Sequence, residues 1–376
     1  MNTQILDKLL ETFPERGIPG CDLSVSVGGK EVYRKKVGFA NAEKTRPVTE
    51  NDMYWVFSIS KTITCAAALK LVEEGKLGLD DPVYKYLPEY KDITVKVKGG
   101  DPVPAQNVMT VRQLFAMTAG LNYNLASPSL LAAREDKSAS TRELVAAIVK
   151  TPIEYEPGTM FNYSLAHDVL GAVIEVVTGM SLFEYLDKVL FTPLGMKDTT
   201  FHPTEEQLER LSDMYVYNRG TERSVLRENK NEYKLSDKYE SGGAGICTTV
   251  NDYMKFANCL ACGGKAPDST EIFKPETIAM MQVDQLDAMT KKKFFEARLF
   301  GYGWGLCGRV HTDPVVSMSK SPVGEFGWDG AAGALSLIDP KNNIAFFFAM
   351  EVRGCTYVYH RLHARIINTV YEALGF

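Results

Sequence analysis

The sequence twice places a lysine three residues after a serine, at Ser58 and Lys61 and again at Ser317 and Lys320. Residues three apart share one face of a helix, so each lysine amine can lie beside its serine hydroxyl. A serine hydroxyl becomes a good nucleophile when a neighbouring base takes its proton, and a lysine acts as that base when burial or nearby positive charge lowers its pKa. The spacing therefore indicates acyl transfer through a covalent intermediate on serine.

The residues that follow distinguish the two pairs. After Ser58, apolar residues recur at helical spacing and stop before Gly75, a residue type common at helix ends. They are Ile63, Ala66, Ala67, Leu69 and Leu71. Around Ser317 the chain is rich in serine, proline and glycine, with no apolar helix behind it. We therefore predict that Ser58 opens a helix, whose N-terminus stabilises developing negative charge, and that Ser317 lies in a loop.

Other catalytic chemistries receive less support. His167 and Asp168 come soon after Tyr163, but both fall in a predicted helix that runs to Thr178. They would lie on neighbouring faces of that helix, which favours a structural role over a Ser-His-Asp triad. No Gly-x-Ser-x-Gly elbow and no P-loop of the form Gly-x-x-x-x-Gly-Lys-Ser/Thr occur, so neither an α/β-hydrolase nor a nucleotide cofactor is expected.

Metal binding and disulfide bonding are not expected either. His360 and His363 lack a third ligand nearby, and Cys259 and Cys262 form a single Cys-x-x-Cys without the second pair that a zinc site needs. The seven cysteines are scattered through the chain, and an odd number cannot all pair in disulfides. We therefore expect reduced and mostly buried thiols. We predict no metal ion and no cofactor.

The composition is that of a folded protein, with 45% hydrophobic and 24% charged residues in a chain of 376. The formal net charge is −5, and no run of lysine and arginine is interleaved with aromatic residues, so we expect no nucleic-acid partner. Asp7, Glu11 and Glu15 interrupt the apolar residues of the N-terminus, unlike a signal peptide, and no other segment approaches a membrane span. We expect a cytoplasmic protein without a membrane partner, although a chain whose export signal had been removed would read the same. The oligomeric state stays open.

Strand patterns lie at both ends of the chain. Leu23, Val25 and Val27 alternate with polar residues before a Gly28-Gly29 turn and a strand at residues 31–34. Near the other end, the apolar runs 334–338 and 344–350 flank a strong turn sequence. Terminal helices are predicted from two sets of apolar residues at helical spacing: Leu6, Leu9, Leu10 and Phe13, and Leu362, Ile366, Val370 and Leu374.

The middle of the chain is mainly helical in pattern. Thr110 with Gln113, and Ser181 with Glu184, have the spacing of capping boxes. The expected fold class is α+β, with an antiparallel sheet built from both chain ends, flanked by helices, and an inserted mainly helical lobe. We expect residues 1–80 and 240–376 to form the α/β lobe and residues 81–239 the helical lobe.

Longer segments extend this pattern and resemble a known family: the serine β-lactamases, penicillin-binding peptidases and β-lactamase-fold esterases, particularly their class C-like branch. The resemblance runs from about Gly20 to Met350, in the family's order. The segments that carry it are GKEVYRKKVGFAN, LVEEGKLGLDDPVYKYLPEY, TVRQLFAMTAGL, EPGTMFNYS, LFTPLGMKDTTF and GGAGICTTVNDYMKFANCLACGG. The resemblance implies a β-lactamase/transpeptidase-like fold.

The resemblance also implies roles for residues in two of the family's motifs. Ser58 would be the nucleophile, with Lys61 and Tyr163 as its proton-handling partners, and Lys61 would lower the pKa of Tyr163. Tyr163 belongs to the second motif, Tyr-x-Asn, in which Leu165 replaces the asparagine that holds the side-chain amide of β-lactam drugs. The backbone N–H groups of Ser58 and Ala331 would form the oxyanion hole.

The third family motif is Lys-Thr-Gly or His-x-Gly, and here its place is taken by Trp328, Asp329 and Gly330. An indole in place of the cation that helps bind a substrate carboxylate favours uncharged or aromatic substrates. Gly330 fits a strand that a substrate approaches closely. Trp304 would shape the pocket or pack in the core, and Arg353 offers a partial replacement for the missing cation.

The expected function is therefore a serine hydrolase working through an acyl-enzyme on Ser58, with a carboxylesterase on small acyl esters as the leading reading. A β-lactamase or a D-amino-acid peptidase or amidase of the same fold is the alternative within this class. A non-catalytic β-lactam-binding or scaffold protein is the alternative of another class, against which the joint presence of Ser58, Lys61 and Tyr163 argues. The expected partner is a small-molecule ester, amide or lactam.

Overall fold

A computed structural model describes residues 1–228, 231–291, 294 and 300–376 of the chain. Its strands, in chain order, are β1 Gly20–Val27, β2 Lys30–Gly38, β3 Met53–Trp55, β4 Thr94–Val95, β5 Val103–Pro104, β6 Tyr215–Asn218, β7 Arg223–Leu226, β8 Cys247–Thr249, β9 Tyr302–Trp304, β10 Arg309–His311, β11 Phe326–Gly327, β12 Leu335–Asp339, β13 Ile344–Met350 and β14 Val352–Arg353.

The α-helices of the described residues are α1 Gln4–Glu11, α2 Ser60–Glu73, α3 Val111–Phe115, α4 Pro128–Ala133, α5 Thr141–Ile148, α6 Ala166–Thr178, α7 Leu182–Leu186, α8 Thr192–Leu194, α9 Glu205–Glu209, α10 Val250–Ala261, α11 Pro275–Met281, α12 Pro314–Ser317 and α13 His363–Leu374. Short 3-10 helices occupy Pro14–Arg16, Phe57–Ile59, Val83–Lys85 and Pro88–Tyr90, and π-helical turns occupy Asp187–Phe191 and Val358–Leu362.

The largest sheet has seven antiparallel strands in the order β2-β1-β13-β12-β11-β10-β9. Its first two strands come from the N-terminal part of the chain, and its other five come from the C-terminal part. The two parts meet where β1 pairs with β13, with Leu23 opposite Phe348 and Val25 opposite Phe346. This is the sheet from both chain ends that the sequence predicted.

Strand β13 shows why this sheet lies at the centre of the molecule. All seven of its residues are buried, and alternate side chains point to opposite faces of a strand. Phe346 and Phe348 pack with the terminal helices α1 and α13 in one hydrophobic cluster. Phe347 faces the other way, into the larger cluster, with its ring centroid 4.2 Å from that of Tyr253 on α10. The sheet is therefore covered by helices on both faces.

The helical part of the chain is organised around α2. This helix is buried on nearly every side, and its apolar residues join one cluster with those of α3, α5, α6 and α7. A helix that is apolar all round belongs in the interior of a protein. Because Lys61 is in the first turn of α2, the same burial encloses its amine.

Several details differ from the predictions. Helix α2 begins at Ser60, and Ser58 lies in the preceding 3-10 turn, Phe57–Ile59. Ser317 ends the four-residue helix α12, so the loop prediction for it is wrong. The side chain of Asp313 caps the N-terminus of this helix by accepting from the N–H groups of Val315 and Val316. A three-stranded sheet of β14, β6 and β7 was not predicted.

No single helix in the described ranges is long and apolar enough to cross a membrane. Ala166–Thr178 and Leu182–Leu194 together have the length and apolar composition of a membrane span, but the two helices are bent by 75° relative to each other.

The packing of β13 generates a stability prediction. Phe348→Ala removes a fully buried ring that contacts Phe13 edge-on, at a centroid distance of 5.7 Å. Deleting such a ring costs about 3–5 kcal/mol, so we expect the thermal midpoint to fall by roughly 5 °C or more. The matched control is Val315→Ala, in a residue that is 84% exposed, which we expect to leave the midpoint nearly unchanged. Equal midpoints for the two variants in differential scanning calorimetry would contradict this account of the core.

Candidate active site

Ser58 is presented by a strained turn between a strand and a helix. Strand β3 pairs with β8, and the chain then enters the 3-10 turn that leads into α2. Phe57, directly before Ser58, has φ +45°, a conformation that side-chain-bearing residues seldom adopt and that costs on the order of 1–3 kcal/mol. Phe57 is fully buried, so packing holds the turn in this conformation. The half-buried Ser58 is thereby fixed at the wall of a pocket.

Gly330 lets the segment after β11 pack directly on this turn. A Cβ at Gly330 would lie 2.5 Å from the Val56 carbonyl oxygen, too close for any side chain. The absence of a side chain at Gly330 therefore makes room for the backbone next to Ser58. The sequence predicts a glycine that a substrate approaches closely, but Gly330 is not among the residues that line the pocket.

Lys61 is completely buried beside the nucleophile. Its Nζ donates a hydrogen bond to the Gly243 carbonyl at 2.6 Å and lies 3.3 Å from both Ser58 Oγ and Tyr123 Oη. Burial lowers the pKa of Lys61 to about 8, because the charged form loses its hydration. A substantial fraction of the amine is therefore neutral near neutral pH, as a base for Ser58 requires.

A second buried charge approaches this amine. Asp168, in the first turn of α6, accepts hydrogen bonds through Oδ1 from Tyr239 Oη at 2.7 Å and from Ser241 Oγ at 2.5 Å. Its Oδ2 is buried and has no hydrogen-bond partner among the described residues. A Cβ at Gly243 would collide with this oxygen and would lie 3.3 Å from Lys61 Nζ. The glycine thus leaves room for the carboxylate beside the amine, and that charge raises the pKa of Lys61, against the larger effect of burial.

The sequence assigned Asp168 a structural role and missed this contact. An acid in the first turn of a helix is ordinarily explained by the helix dipole. Gly243 and Lys61 are far from Asp168 in the chain, so no local sequence pattern indicates that these residues are in contact.

Tyr163 lies across the nucleophile from Lys61. Its hydroxyl accepts a hydrogen bond from Trp328 Nε1 at 2.9 Å and is also hydrogen-bonded to Ser58. Enclosure raises the pKa of Tyr163, and the hydrogen bonds from Ser58 and Trp328 only partly oppose this. The expected lowering by Lys61 is not found: the amine lies over the face of the phenol ring, 4.7 Å from its centroid, and not at the oxygen.

The pocket that holds these groups has a volume of about 460 Å³ and a wall that is mostly aromatic. It is lined by Ser58, Tyr123, Tyr163, Tyr233, Trp328, Asp329, Ala331 and Tyr359. The rings of Tyr123 and Tyr163 are stacked with centroids 5.7 Å apart, and Tyr233 meets Tyr123 edge-on. Sequence reasoning did not identify Tyr123, Tyr233 or Tyr359, because none of them belongs to a spaced motif.

Two backbone donors at the pocket wall are available for a ligand. The N–H groups of Ser58 and Ala331 both belong to lining residues, and neither donates to a backbone acceptor in the part of the chain that the structure describes. These are the two groups predicted to form an oxyanion hole. Donors of this kind stabilise the negative oxygen of a tetrahedral intermediate.

Three other predicted site residues do not reach the pocket. Leu165 is buried directly before α6, and Trp304 is fully buried behind Trp328, where its Nε1 donates to the Phe115 carbonyl at 2.9 Å. Core packing thus accounts for both. The guanidinium of Arg353 forms an ion pair with Glu232, so it is already paired and does not stand in for the missing cation.

The remaining sequence candidates lie apart from this site. Ser317 Oγ donates to His311 Nε2 at 2.7 Å, and Lys320 Nζ donates to the carbonyl of Phe376. The serine and the lysine of the second pair are therefore each bonded to other residues. His167 is buried, which lowers its pKa to about 3, and its Nε2 donates to the Phe115 carbonyl. All seven cysteines are free thiols.

Comparison with known proteins identifies the family to which the chain belongs. The family model described as Beta-lactamase matches residues 6–354. The chain is 29% identical over 355 residues to Esterase EstB of Burkholderia gladioli, which covers 86% of this chain and 84% of that protein.

Two solved structures show the same fold. EstCE1, described as a hydrolase with promiscuous acyltransferase activity, superposes with a TM-score of 0.81 at 24% identity and covers 100% of this chain and 98% of its own. A penicillin-binding protein homologue from Caulobacter crescentus superposes with a TM-score of 0.76 at 18% identity and covers 98% of this chain and 96% of its own. The predicted α+β fold of the β-lactamase/transpeptidase type is confirmed. The chain belongs to the β-lactamase family and is a serine hydrolase of that fold.

Proposed function

We propose that the protein is a carboxylesterase that cleaves small acyl esters through an acyl-enzyme on Ser58. The observation that carries this proposal is the pocket wall, which consists of aromatic side chains and one acid and contains no cationic side chain among the described residues. Recognition of a β-lactam or of a peptide C-terminus requires a partner for the substrate carboxylate. The similarity to Esterase EstB supports the same assignment.

The proton route follows from the two perturbed groups. Neutral Lys61 accepts the Ser58 proton as the hydroxyl attacks the ester carbonyl, and the resulting oxyanion is held by the N–H groups of Ser58 and Ala331. Tyr163, whose raised pKa keeps the phenol protonated, serves as a proton donor to the departing alkoxide and is reprotonated from Lys61. Water then attacks the acyl-enzyme, releases the carboxylic acid and restores the Ser58 hydroxyl.

A β-lactamase or D-amino-acid peptidase is the second candidate, favoured by the fold shared with a penicillin-binding protein homologue. β-Lactams and peptide C-termini carry a carboxylate, for which this pocket offers no free cationic partner among the described residues, whereas D-amino-acid amides carry none and are distinguished from esters by the turnover assay. A non-catalytic scaffold is disfavoured because Ser58, Lys61 and Tyr163 are in mutual contact.

The nucleophile is tested with a fluorophosphonate and intact-protein mass spectrometry. We expect one adduct on the wild type and on Ser317→Ala, and none on Ser58→Ala. With p-nitrophenyl butyrate, Ser58→Ala should lose at least about 10³-fold in kcat, because only binding and the oxyanion donors remain. Labelling that persists in Ser58→Ala but disappears in Ser317→Ala would reverse the assignment. Turnover of nitrocefin faster than of the ester would favour the second candidate.

The contact between Asp168 and Lys61 predicts a pH effect. The ionised carboxylate stabilises the ammonium form of Lys61, so Asp168→Asn should lower the pKa of the amine further and free the base at lower pH. We expect the acid limb of kcat/KM for p-nitrophenyl butyrate to move down by about one pH unit.

Asp252→Asn is the matched control for this experiment. Asp252 is also a buried carboxylate in the first turn of a helix, α10, but it pairs with Lys255 and is not part of the pocket wall. Its pH profile should coincide with that of the wild type. An unchanged or upward-shifted limb in a folded Asp168→Asn variant would show that Lys61 is not the base.

A further inference from the structure

We propose that Asp329 makes the active-site pocket select substrates bearing an ammonium group over those bearing a carboxylate, an inference that rests on the proposed esterase function. The ligand class is thus a neutral or cationic acyl ester. Asp329 stands where the family motif has the hydroxyl residue of Lys-Thr-Gly, so the chain has lost the motif's cation and gained an anion.

The position of Asp329 puts its carboxylate at the pocket. It follows Trp328 and lines the same cavity as Ser58, and its side chain is 25% exposed. A backbone bridge to Leu335 at the start of β12 fixes the residue. The ion-pair partner found for it among the described residues is His363, whose Nδ1 lies 3.9 Å from Asp329 Oδ2.

His363 does not neutralise this acid. Its Nε2 lies 3.0 Å from the Gly333 carbonyl, and because a carbonyl only accepts, Nε2 carries the ring proton. Burial lowers the pKa of His363 to about 4, so the ring is neutral at neutral pH. The unprotonated Nδ1 then turns a lone pair towards Asp329, which leaves the acid without a charged partner on this side.

The cations nearest to this part of the structure are already engaged. Arg309 forms a buried ion pair with Glu325 through Oε1 at 2.5 Å, and Arg353 pairs with Glu232. Lys61 lies beneath the pocket floor, bonded to the Gly243 carbonyl. A substrate carboxylate entering the pocket would therefore meet Asp329 with no free cation among the described residues to offset the repulsion.

The aromatic wall acts in the same direction. Four tyrosines and Trp328 line the cavity, and the faces of such rings attract an ammonium group. An ammonium-bearing ester thus gains both from the carboxylate and from the rings, while a carboxylate-bearing ester loses on both counts.

The selectivity should depend on pH. Burial raises the pKa of Asp329 to about 7, with the charges of Arg309 and Lys61 acting in the opposite direction. The other titratable groups close by are neutral His363 and the phenols of Tyr163 and Tyr359, whose pKa values are raised by burial. Asp329 is protonated below its pKa and charged above it, so the preference for cations should increase as the pH rises through about 7.

The test uses three p-nitrophenyl esters of similar acyl length: 6-aminohexanoate, hexanoate and hydrogen adipate, whose end groups are too far from the ester carbonyl to cyclise readily, and the rate without enzyme is subtracted for each. For each, kcat/KM is divided by the value for hexanoate, so that titration of the shared catalytic groups cancels. At pH 8 we expect the aminohexanoate-to-adipate ratio of the wild type to exceed that of Asp329→Asn by at least about tenfold. Within the wild type, the ratio should fall towards that of the variant between pH 8 and pH 6. This second comparison needs no substitution, so it holds even if the variant does not fold.

Asp313→Asn is the matched control, because an asparagine also caps a helix and Asp313 is not a lining residue. It should keep the wild-type ratios. Equal ratios in the wild type and Asp329→Asn with no pH dependence in the wild type would overturn the proposal, as would a wild-type preference for the adipate ester.

A binding measurement separates this proposal from the esterase assignment. Ligand-observed NMR with n-butylammonium and butyrate reports pocket preference without any turnover. Preferential binding of butylammonium, lost in Asp329→Asn, supports the pocket proposal even if no ester is hydrolysed, in which case the esterase assignment fails. Hydrolysis of the esters with equal binding of the two ions has the opposite meaning: the esterase assignment stands and the role of Asp329 is refuted.

Discussion

The buried amine of Lys61 is the constraint around which the active site is built. An ammonium group removed from water is expensive unless it is paired, and the structure surrounds it with the Gly243 carbonyl, the hydroxyls of Ser58 and Tyr123 and the nearby charge of Asp168. Burial and the acid shift the pKa of the amine in opposite directions, and the result is about 8. Full burial of α2 creates the first effect, and the absence of a side chain at Gly243 permits the second.

The aromatic wall has a comparable effect on the other side of the nucleophile. Trp328 donates its indole N–H to the Tyr163 hydroxyl, and Trp304 packs behind both rings. A neutral donor stabilises a phenolate less than a cation would, so Tyr163 keeps its proton and is suited to donating it. The indole at this position is uncharged, so it adds no positive charge to the pocket wall and leaves the proton on Tyr163.

The sequence predicted those features that depend on local patterns. The serine–lysine spacing identified Ser58 and Lys61, and the alternating apolar residues of β1 and the runs that became β12 and β13 identified the sheet from both chain ends. Motif order located Trp328 but could not tell which neighbouring side chains face the pocket: Leu165 and Gly330 do not line it, and Trp304, for which pocket and core were both open, packs in the core. Tyr123, Tyr233, Tyr359 and Asp168 come from segments that meet only in the folded chain, and no periodicity marks them.

Asp168 and Asp329 show how burial decides what an acid does near the same amine. Both carboxylates raise the pKa of Lys61, and Asp168 Oδ2 has no hydrogen-bond partner among the described residues. Asp168 is fully buried, two hydroxyls hold one of its oxygens, and its charge acts on Lys61 and on neighbouring buried phenols. Asp329 is open to the cavity, and a ligand can supply the partner that the protein does not. Two carboxylates that both act on the buried lysine therefore differ in one respect: only Asp329 lines the pocket, where it can also meet a substrate.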